Sequence, residues 1–115
     1  MIPAAEQRLE ILQEDTVKML HSLHISVHRQ GYKALLLAIP CYALDCDQSL
    51  SKEVYPYVAQ RLSYADWHGV ERAIRLVILD AWERRNPAIW EDCFPGQRKA
   101  PTNKQFIAVL AQRLR

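Results

Sequence analysis

The run from Asp66 to Arg85 constrains the fold of this chain more than any other stretch of its sequence. Its apolar residues recur three and four positions apart, at Val70, Ala73, Ile74, Val77, Ile78, Ala81 and Trp82. That spacing predicts a long helix that packs on one face and leaves the opposite face to charged residues. Arg72 and Arg75 lie on this other face, in the N-terminal half of the helix.

A second predicted helix comes shortly before the long one. It covers Lys52 to Leu62, and the polar joint Ser63-Tyr64-Ala65 separates the two. Two helices joined by a tight turn, with arginines outward on the second, form the outline of a helix-turn-helix, whose second helix enters the major groove of DNA. Any amphipathic helix pair with surface arginines matches this outline as well. A helical domain whose arginines only solvate its surface therefore remains an alternative.

The N-terminal half of the chain predicts two further helices. The first follows the apolar positions from Leu9 to Leu23, and the second passes through Leu35 and Ile39. Pro40 should kink or end that second helix, because proline has no amide hydrogen to donate to the preceding turn. Ser51 is the expected N-cap of the helix that follows.

The C-terminal third predicts two more helical segments. Pro87 to Cys93 should form one or two turns before Phe94-Pro95-Gly96 interrupts them. Thr102-Asn103-Lys104-Gln105 reads as a capping box, in which the Thr102 hydroxyl and the Gln105 side chain satisfy each other's backbone amides. No segment alternates with a period of two, so we expect an all-α domain, a compact bundle of about six helices.

Composition narrows the class of protein. A chain of 115 residues fits one domain with its own core. No apolar run approaches the roughly 18 residues that span a bilayer, and the start of the chain lacks the features of a secretory signal. We therefore expect a cytoplasmic protein without a membrane partner. The cysteines, Cys41, Cys46 and Cys93, are odd in number and lack metal-ligand spacing, so we expect buried, unpaired thiols.

Sequence patterns for catalysis are missing. The chain has no phosphate-cradling glycine loop and no G-x-S-x-G nucleophile motif. His21, His24 and His28 are three and four residues apart, a spacing that suits metal ligands on one helix face. The break at Ile25-Ser26 argues against a continuous helix there. We expect neither an enzyme nor a bound metal or cofactor.

Positive charge is concentrated at the C-terminal end. The formal net charge is only +2, yet residues 93–115 contain no acidic residue and carry Arg98, Lys99, Lys104, Arg113 and Arg115. Such an end suits either DNA phosphates or the acidic N-terminal helix, and composition leaves both open.

Four short motifs, in order along the chain, give it a family resemblance. It resembles the C-terminal DNA-binding effector domain of the stage-zero sporulation protein A family, from about Thr16 to Arg115. The motifs are Val27-His28-Arg29-Gln30-Gly31-Tyr32, Ser51-Lys52-Glu53-Val54-Tyr55-Pro56, Val70-Glu71-Arg72-Ala73-Ile74-Arg75 with Ala81-Trp82, and Pro101-Thr102-Asn103 with Phe106-Ile107-Ala108.

This resemblance implies a six-helix domain that binds double-stranded DNA at a short box with the core CGAA, through a recognition helix at about residues 66–85. Glu71, Arg72 and His68 would then read base edges, since a carboxylate accepts from cytosine N4 and an arginine forks onto guanine O6 and N7. Arg75, Arg61 and Lys52 would contact phosphates.

Further partners follow from the same resemblance. The family acts on promoters through RNA polymerase and its sigma factor, by a surface that corresponds here to about Trp82 to Gly96, and a homodimer on DNA is a further expectation. The resemblance covers no part of the family's receiver domain, and the sequence leaves open whether that domain was removed or is naturally absent. Residues 1–15 are expected to be a helical extension, and residues 16–115 the effector domain.

Three departures from the family pattern support a rival reading. His68-Gly69 replaces a Ser-Arg pair, the joint before the long helix is longer, and Leu76 and Leu79 stand on the stripe of Arg72. The two leucines would meet thymine methyl groups or a second subunit, or an extra element of this protein would cover them. The alternative function is therefore a non-catalytic interaction or dimerisation module that kept the fold but lost specific DNA binding.

Overall fold

The computed structural model describes residues 4–114, with side chains from Gln7 onward, and every regular element in that range is helical. Residues 1–3 of the expected extension and Arg115 lie outside the described residues. The predicted all-α class and the number of helices are confirmed. The α-helices are α1 (Ala4–Ser22), α2 (Gln30–Leu44), α3 (Tyr55–Leu62), α4 (Trp67–Glu83), α5 (Pro87–Cys93) and α6 (Asn103–Arg113).

Helix α2 forms the centre of the bundle and packs against α1, α3, α4 and α6. Its first turn touches the backbone of α4 at Gly31. A Cβ atom added there would lie 2.3 Å from the carbonyl oxygen of Ala73 and 2.7 Å from Cγ1 of Val77. The absence of a side chain at Gly31 therefore sets how closely α2 and α4 approach each other.

Pro40 does not end α2. The helix continues to Leu44, and Pro40 itself is buried. Of the two outcomes that the sequence predicted at this proline, termination is wrong. A proline within a helix removes one amide donor, and the packing of α2 on four neighbouring helices opposes that loss.

The segment before α3 differs from the predicted continuous helix. Leu50–Val54 is a π-helical turn, in which the Ser49 carbonyl accepts from the amides of both Glu53 and Val54, at 2.9 and 3.1 Å. The predicted N-cap at Ser51 is wrong, because the Ser49 hydroxyl accepts from the Lys52 amide at 3.2 Å. Glu53 returns the contact by accepting from the Ser49 amide.

Aromatic packing joins α4, α5 and α6 at the far end of the bundle. The Trp90 ring meets the edge of Trp82 at 5.6 Å between centroids and lies 5.5 Å from Phe94. Phe106 of α6 stacks on Phe94 at 5.7 Å. The predicted turns at Pro87 to Cys93 are confirmed as α5, and these rings hold them against α4.

The N-terminus of α6 is half of the predicted capping box. The Thr102 hydroxyl accepts from the Gln105 amide at 3.1 Å. The Gln105 side chain does not return to the Thr102 amide and instead pairs with the Gln97 side chain, at 3.1 and 3.2 Å. The reciprocal half of the prediction is wrong because a tertiary partner of the same chemistry is available.

The three cysteines are free and half-buried, so the expectation of buried thiols is wrong. Partial burial still raises the pKa values of Cys41 and Cys93, because it disfavours the thiolate.

None of the helices in residues 4–114 is long and apolar enough to cross a membrane.

His24 ends α1 in the left-handed region, with φ of 59°. The Ile25 amide reaches back to the Leu20 carbonyl, and the His24 amide to the His21 carbonyl, which is the Schellman arrangement that glycine suits best. We expect His24→Gly to stabilise the protein by about 1 kcal/mol, because a Cβ atom is strained there.

A matched control is available three residues earlier. His21 is exposed and within α1, so His21→Gly should instead destabilise by about 0.5–1 kcal/mol. Urea unfolding of both variants checks the prediction. Shifts of the same sign would contradict it.

Candidate nucleic-acid interface

The turn between α3 and α4 is built by local hydrogen bonds. Ser63 ends α3 in the left-handed region at φ of 61°, and the amide of Tyr64 donates to the Ala59 carbonyl at 2.9 Å. Asp66 then caps α4, since its carboxylate accepts from the Gly69 amide at 3.2 Å. Helix, short turn and capped second helix form the geometry that the sequence predicted for residues 52–85.

Gly69 has a packing role in this turn. A Cβ atom at this position would lie 3.0 Å from Cδ1 of the Tyr64 ring. The ring therefore lies against the first turn of α4 where a larger residue would crowd it. The glycine at this position lets the Tyr64 ring lie close to the start of α4.

The two faces of α4 separate as the periodicity predicted. The buried face consists of Val70, Ile74, Val77, Ile78 and Ala81. On the opposite face, Arg72 and His68 are exposed, and the side chains of Leu76 and Leu79 are 52% and 37% exposed. Large apolar side chains standing free on a helix face commonly mark a contact surface.

Glu71 and Arg72 are adjacent and uncommitted. Both are exposed, and within residues 7–114 neither side chain forms a hydrogen bond or an ion pair. The Glu71 backbone carbonyl, in contrast, accepts from Nδ2 of Asn103 at 2.9 Å. The backbone at this point is therefore fixed to α6, while a carboxylate and a guanidinium remain available to a ligand.

Arg75 differs from its predicted orientation. It is half-buried, and its Nη1 donates to the Pro101 carbonyl at 2.7 Å. The sequence predicted that it faces outward beside Arg72. Instead it joins α4 to the start of α6, although a guanidinium has five N–H donors and this bond occupies one of them. Its role in phosphate binding stays a prediction.

His68 forms part of an aromatic stack at the start of α4. Its ring lies 3.9 Å from the Trp67 ring, with 25° between the planes. Trp67 in turn stacks on Tyr55 of α3 at 6.3 Å. The exposed imidazole is therefore restricted in direction by α3, on the same end of α4 as Glu71 and Arg72.

Helix α4 borders a cleft of about 1100 Å³. One wall is the loop and π-helical turn from Cys46 to Glu53, and the opposite wall is the start of α6. Charges of both signs face the cleft, from Asp47, Glu53, Glu71, Arg72, Arg75 and Lys104. Leu76 lines the cleft as well. The structure thus brings together four of the site residues that the sequence predicted, namely Glu71, Arg72, Arg75 and Leu76.

Lys52, Arg61, His68 and Leu79 do not line this cleft. Lys52 is exposed on the π-helical turn, and the Arg61 guanidinium lies 5.6 Å from the centre of the Tyr57 ring. Their predicted contacts stay predictions. The sequence named Lys104 only as part of a basic C-terminal end, and it missed the contact of Asn103. Both residues reach α4 from about 30 positions away, through packing that leaves no local signal.

Comparison with known families decides the class of this domain. Residues 16–114 match the family described as Sporulation initiation factor Spo0A C terminal. The chain belongs to this family. The Spo0A C-terminal family consists of DNA-binding effector domains that regulate transcription in sporulation, and it is not a catalytic family. Members of this family bind double-stranded DNA.

The match to the Spo0A C-terminal family begins inside a helix. Thr16 is its first residue, whereas α1 runs unbroken from Ala4 to Ser22. The predicted division at residue 15 thus falls within one continuous helix. That residues 1–15 form an extension separate from the effector domain stays a prediction.

Among the side chains of residues 7–114, no three of histidine, cysteine, aspartate or glutamate are grouped so as to hold a metal ion.

Proposed function

We propose that this domain regulates transcription by reading DNA sequence with the N-terminal half of α4 in the major groove. Arg72 would donate two hydrogen bonds to guanine O6 and N7, and Glu71 would accept one from cytosine N4. His68 would contact a neighbouring base edge. The observation that carries this proposal is the exposed, uncommitted pair Glu71 and Arg72 on a helix whose backbone is fixed by Asn103.

Phosphate contacts would set the register of α4 on the duplex. Arg75, Arg61 and Lys52 are the proposed contacts, and Lys104 joins them because it lines the same cleft as Arg72. Such contacts contribute affinity and orientation and carry no sequence information directly. The bond from Arg75 to Pro101 would hold that guanidinium in place before DNA arrives, which lowers the entropy lost on binding.

Action at a promoter requires a protein partner besides DNA. From the family we propose RNA polymerase with its sigma factor, through the surface from Trp82 to Gly96, and a homodimer on DNA. Leu76 and Leu79 are the proposed apolar contacts, with a second subunit or with thymine methyl groups. Their exposure also supports the second candidate function, an interaction module without specific DNA binding.

Binding of a labelled duplex, followed by fluorescence anisotropy, tests the proposal. One duplex carries the CGAA-core box of the family and the other a scrambled sequence, each at two salt concentrations. We expect tighter binding to the box and weaker binding at higher salt, because neutralised phosphates release counterions. Equal, feeble binding to both duplexes, with concentration-dependent self-association in sedimentation, would support the interaction module instead.

A further inference from the structure

A second cleft, of about 450 Å³, lies where the end of α1 meets the end of α4. Three of the four histidines in the chain line it, together with two arginines and one carboxylate: His21, His24, His28, Arg29, Arg84 and Asp80. We refer to these six residues as the histidine cleft. It is separate from the cleft beside Arg72, and the proposed DNA contacts use none of its residues.

Asp80 positions both arginines of the histidine cleft. Its carboxylate oxygens lie 3.2 Å from Nη2 of Arg29 and 2.7 Å from Nη2 of Arg84. The hydrogen bond from Arg84, reinforced by the charges of both arginines, lowers the pKa of Asp80. The one acid of the cleft is thus ionised and shared by both arginines. Within residues 7–114 the only other acceptor of these two guanidiniums is the His24 carbonyl, 3.2 Å from Nη2 of Arg84, so most of their N–H groups remain available.

His24 occupies a position where its side chain is not required by the fold. Its φ of 59° is a conformation that glycine adopts without strain, as argued for the end of α1. Strained residues of this kind are concentrated at functional sites. The imidazole at this position lines the cleft, and Arg84 holds the backbone carbonyl of the same residue.

The charge of the histidine cleft depends on pH. Two arginines against one aspartate leave one net positive charge, and protonation of all three histidines adds three more. Histidine side chains in general change charge between about pH 5 and pH 8. The charged groups that line the cleft beside the imidazoles are Arg29, from the α1–α2 connection, and Asp80 and Arg84, from the end of α4.

We propose that the histidine cleft binds an oxyanion of the phosphate class, and that it binds more tightly as the histidines protonate. The fixed guanidiniums supply hydrogen-bond donors at all pH values, as arginines do for phosphate oxygens elsewhere. The imidazolium groups add charge and donors at lower pH. The phosphate group has two possible sources, the DNA backbone and a free phosphomonoester. Both present anionic, unesterified oxygens to these side chains, with one negative charge on a backbone phosphodiester and up to two on a phosphomonoester.

Sulfate is the probe for the first test, because its double charge does not change over the pH range in which histidine titrates. Amide chemical shifts of the ¹⁵N-labelled protein are followed during sulfate addition, with ionic strength held constant by chloride. We expect saturable shifts at the cleft residues, and a dissociation constant at about pH 6 that is about five-fold or more below that at pH 8. Shifts that do not saturate, or equal affinity at both pH values, would overturn the proposal.

Three variants separate the cleft from general charge. His24→Gly removes an imidazole and suits the backbone conformation, so the protein should fold, and His28→Gln removes a second without altering α1. Both should weaken sulfate binding at about pH 6 and reduce its pH dependence. Arg8→Gln on α1 removes a charge outside the cleft and should leave the affinity unchanged. Wild-type affinity in both histidine variants would contradict the proposal.

The DNA arm distinguishes the two sources of phosphate. Binding of the CGAA-core duplex is compared between wild type and His24→Gly at about pH 6 and two salt concentrations. Weaker binding and a smaller salt dependence in the variant would identify the DNA backbone as the source. Unchanged duplex binding, with weakened sulfate binding, would exclude the DNA backbone and leave a free phosphomonoester as the source. This result is independent of whether α4 reads the box.

Discussion

Gly31→Ala is expected to destabilise the protein by about 2–3 kcal/mol, the upper part of the usual range for overpacking. The added Cβ atom would lie 2.3 Å from the Ala73 carbonyl oxygen, a backbone atom that moves only if α2 and α4 separate. Because α4 carries the proposed reading residues, the same separation would change how they are presented. Urea unfolding followed by circular dichroism measures the loss.

Gly69→Ala provides the comparison for Gly31→Ala. Its Cβ atom would lie 3.0 Å from Cδ1 of Tyr64, which is a side-chain ring that can move by rotation. Alanine also favours a helix interior by up to about 1 kcal/mol relative to glycine, so the two effects oppose each other. We expect a much smaller change in stability than for Gly31→Ala. Wild-type stability of Gly31→Ala would mean that α2 and α4 do not approach as described.

Arg72→Ala is expected to weaken binding of the CGAA-core duplex by about 10- to 100-fold, equivalent to about 1–3 kcal/mol. Discrimination at one base pair should be lost with it, since a bidentate contact to guanine is what distinguishes that pair. The free energy of unfolding should hardly change, because Arg72 is exposed and forms no hydrogen bond or ion pair within residues 7–114. Anisotropy titrations and urea unfolding measure the two quantities.

Two other arginines serve as references for Arg72→Ala. Arg8→Ala removes an equal charge from α1, outside the cleft beside α4, and should alter binding little. Arg75→Ala should weaken binding to matched and mismatched duplexes alike, and should also lower stability because the bond to the Pro101 carbonyl is lost. Full discrimination between matched and mismatched boxes in Arg72→Ala would exclude its proposed role.

The helices themselves were predictable because their signals are local. The apolar spacing of α4 placed its buried face correctly, and Thr102 marked the start of α6. The resemblance to the Spo0A C-terminal family was also carried by contiguous motifs, and the family match confirms it. What the sequence determines here is a set of patterns within about one helix length.

Long-range contacts were not predictable from these patterns. The bond from Arg75 to the Pro101 carbonyl joins residues 26 positions apart, and periodicity alone placed that arginine outward. The spatial partners of Gly31 and Gly69 decide their roles, yet in sequence both glycines read as weak helix formers. The π-helical turn was also missed. Its N-cap is Ser49, two residues before Ser51, the N-cap that the sequence predicted.

Methylation of guanine N7 in the CGAA-core box tests most directly whether Arg72 reads DNA in the major groove. A methyl group there blocks one of the two acceptors that an arginine fork requires. We predict that wild-type protein loses about ten-fold or more in affinity for a duplex methylated at one guanine of the box, and that Arg72→Ala binds both duplexes equally. Wild-type binding that tolerates N7 methylation at every guanine of the box would contradict the account.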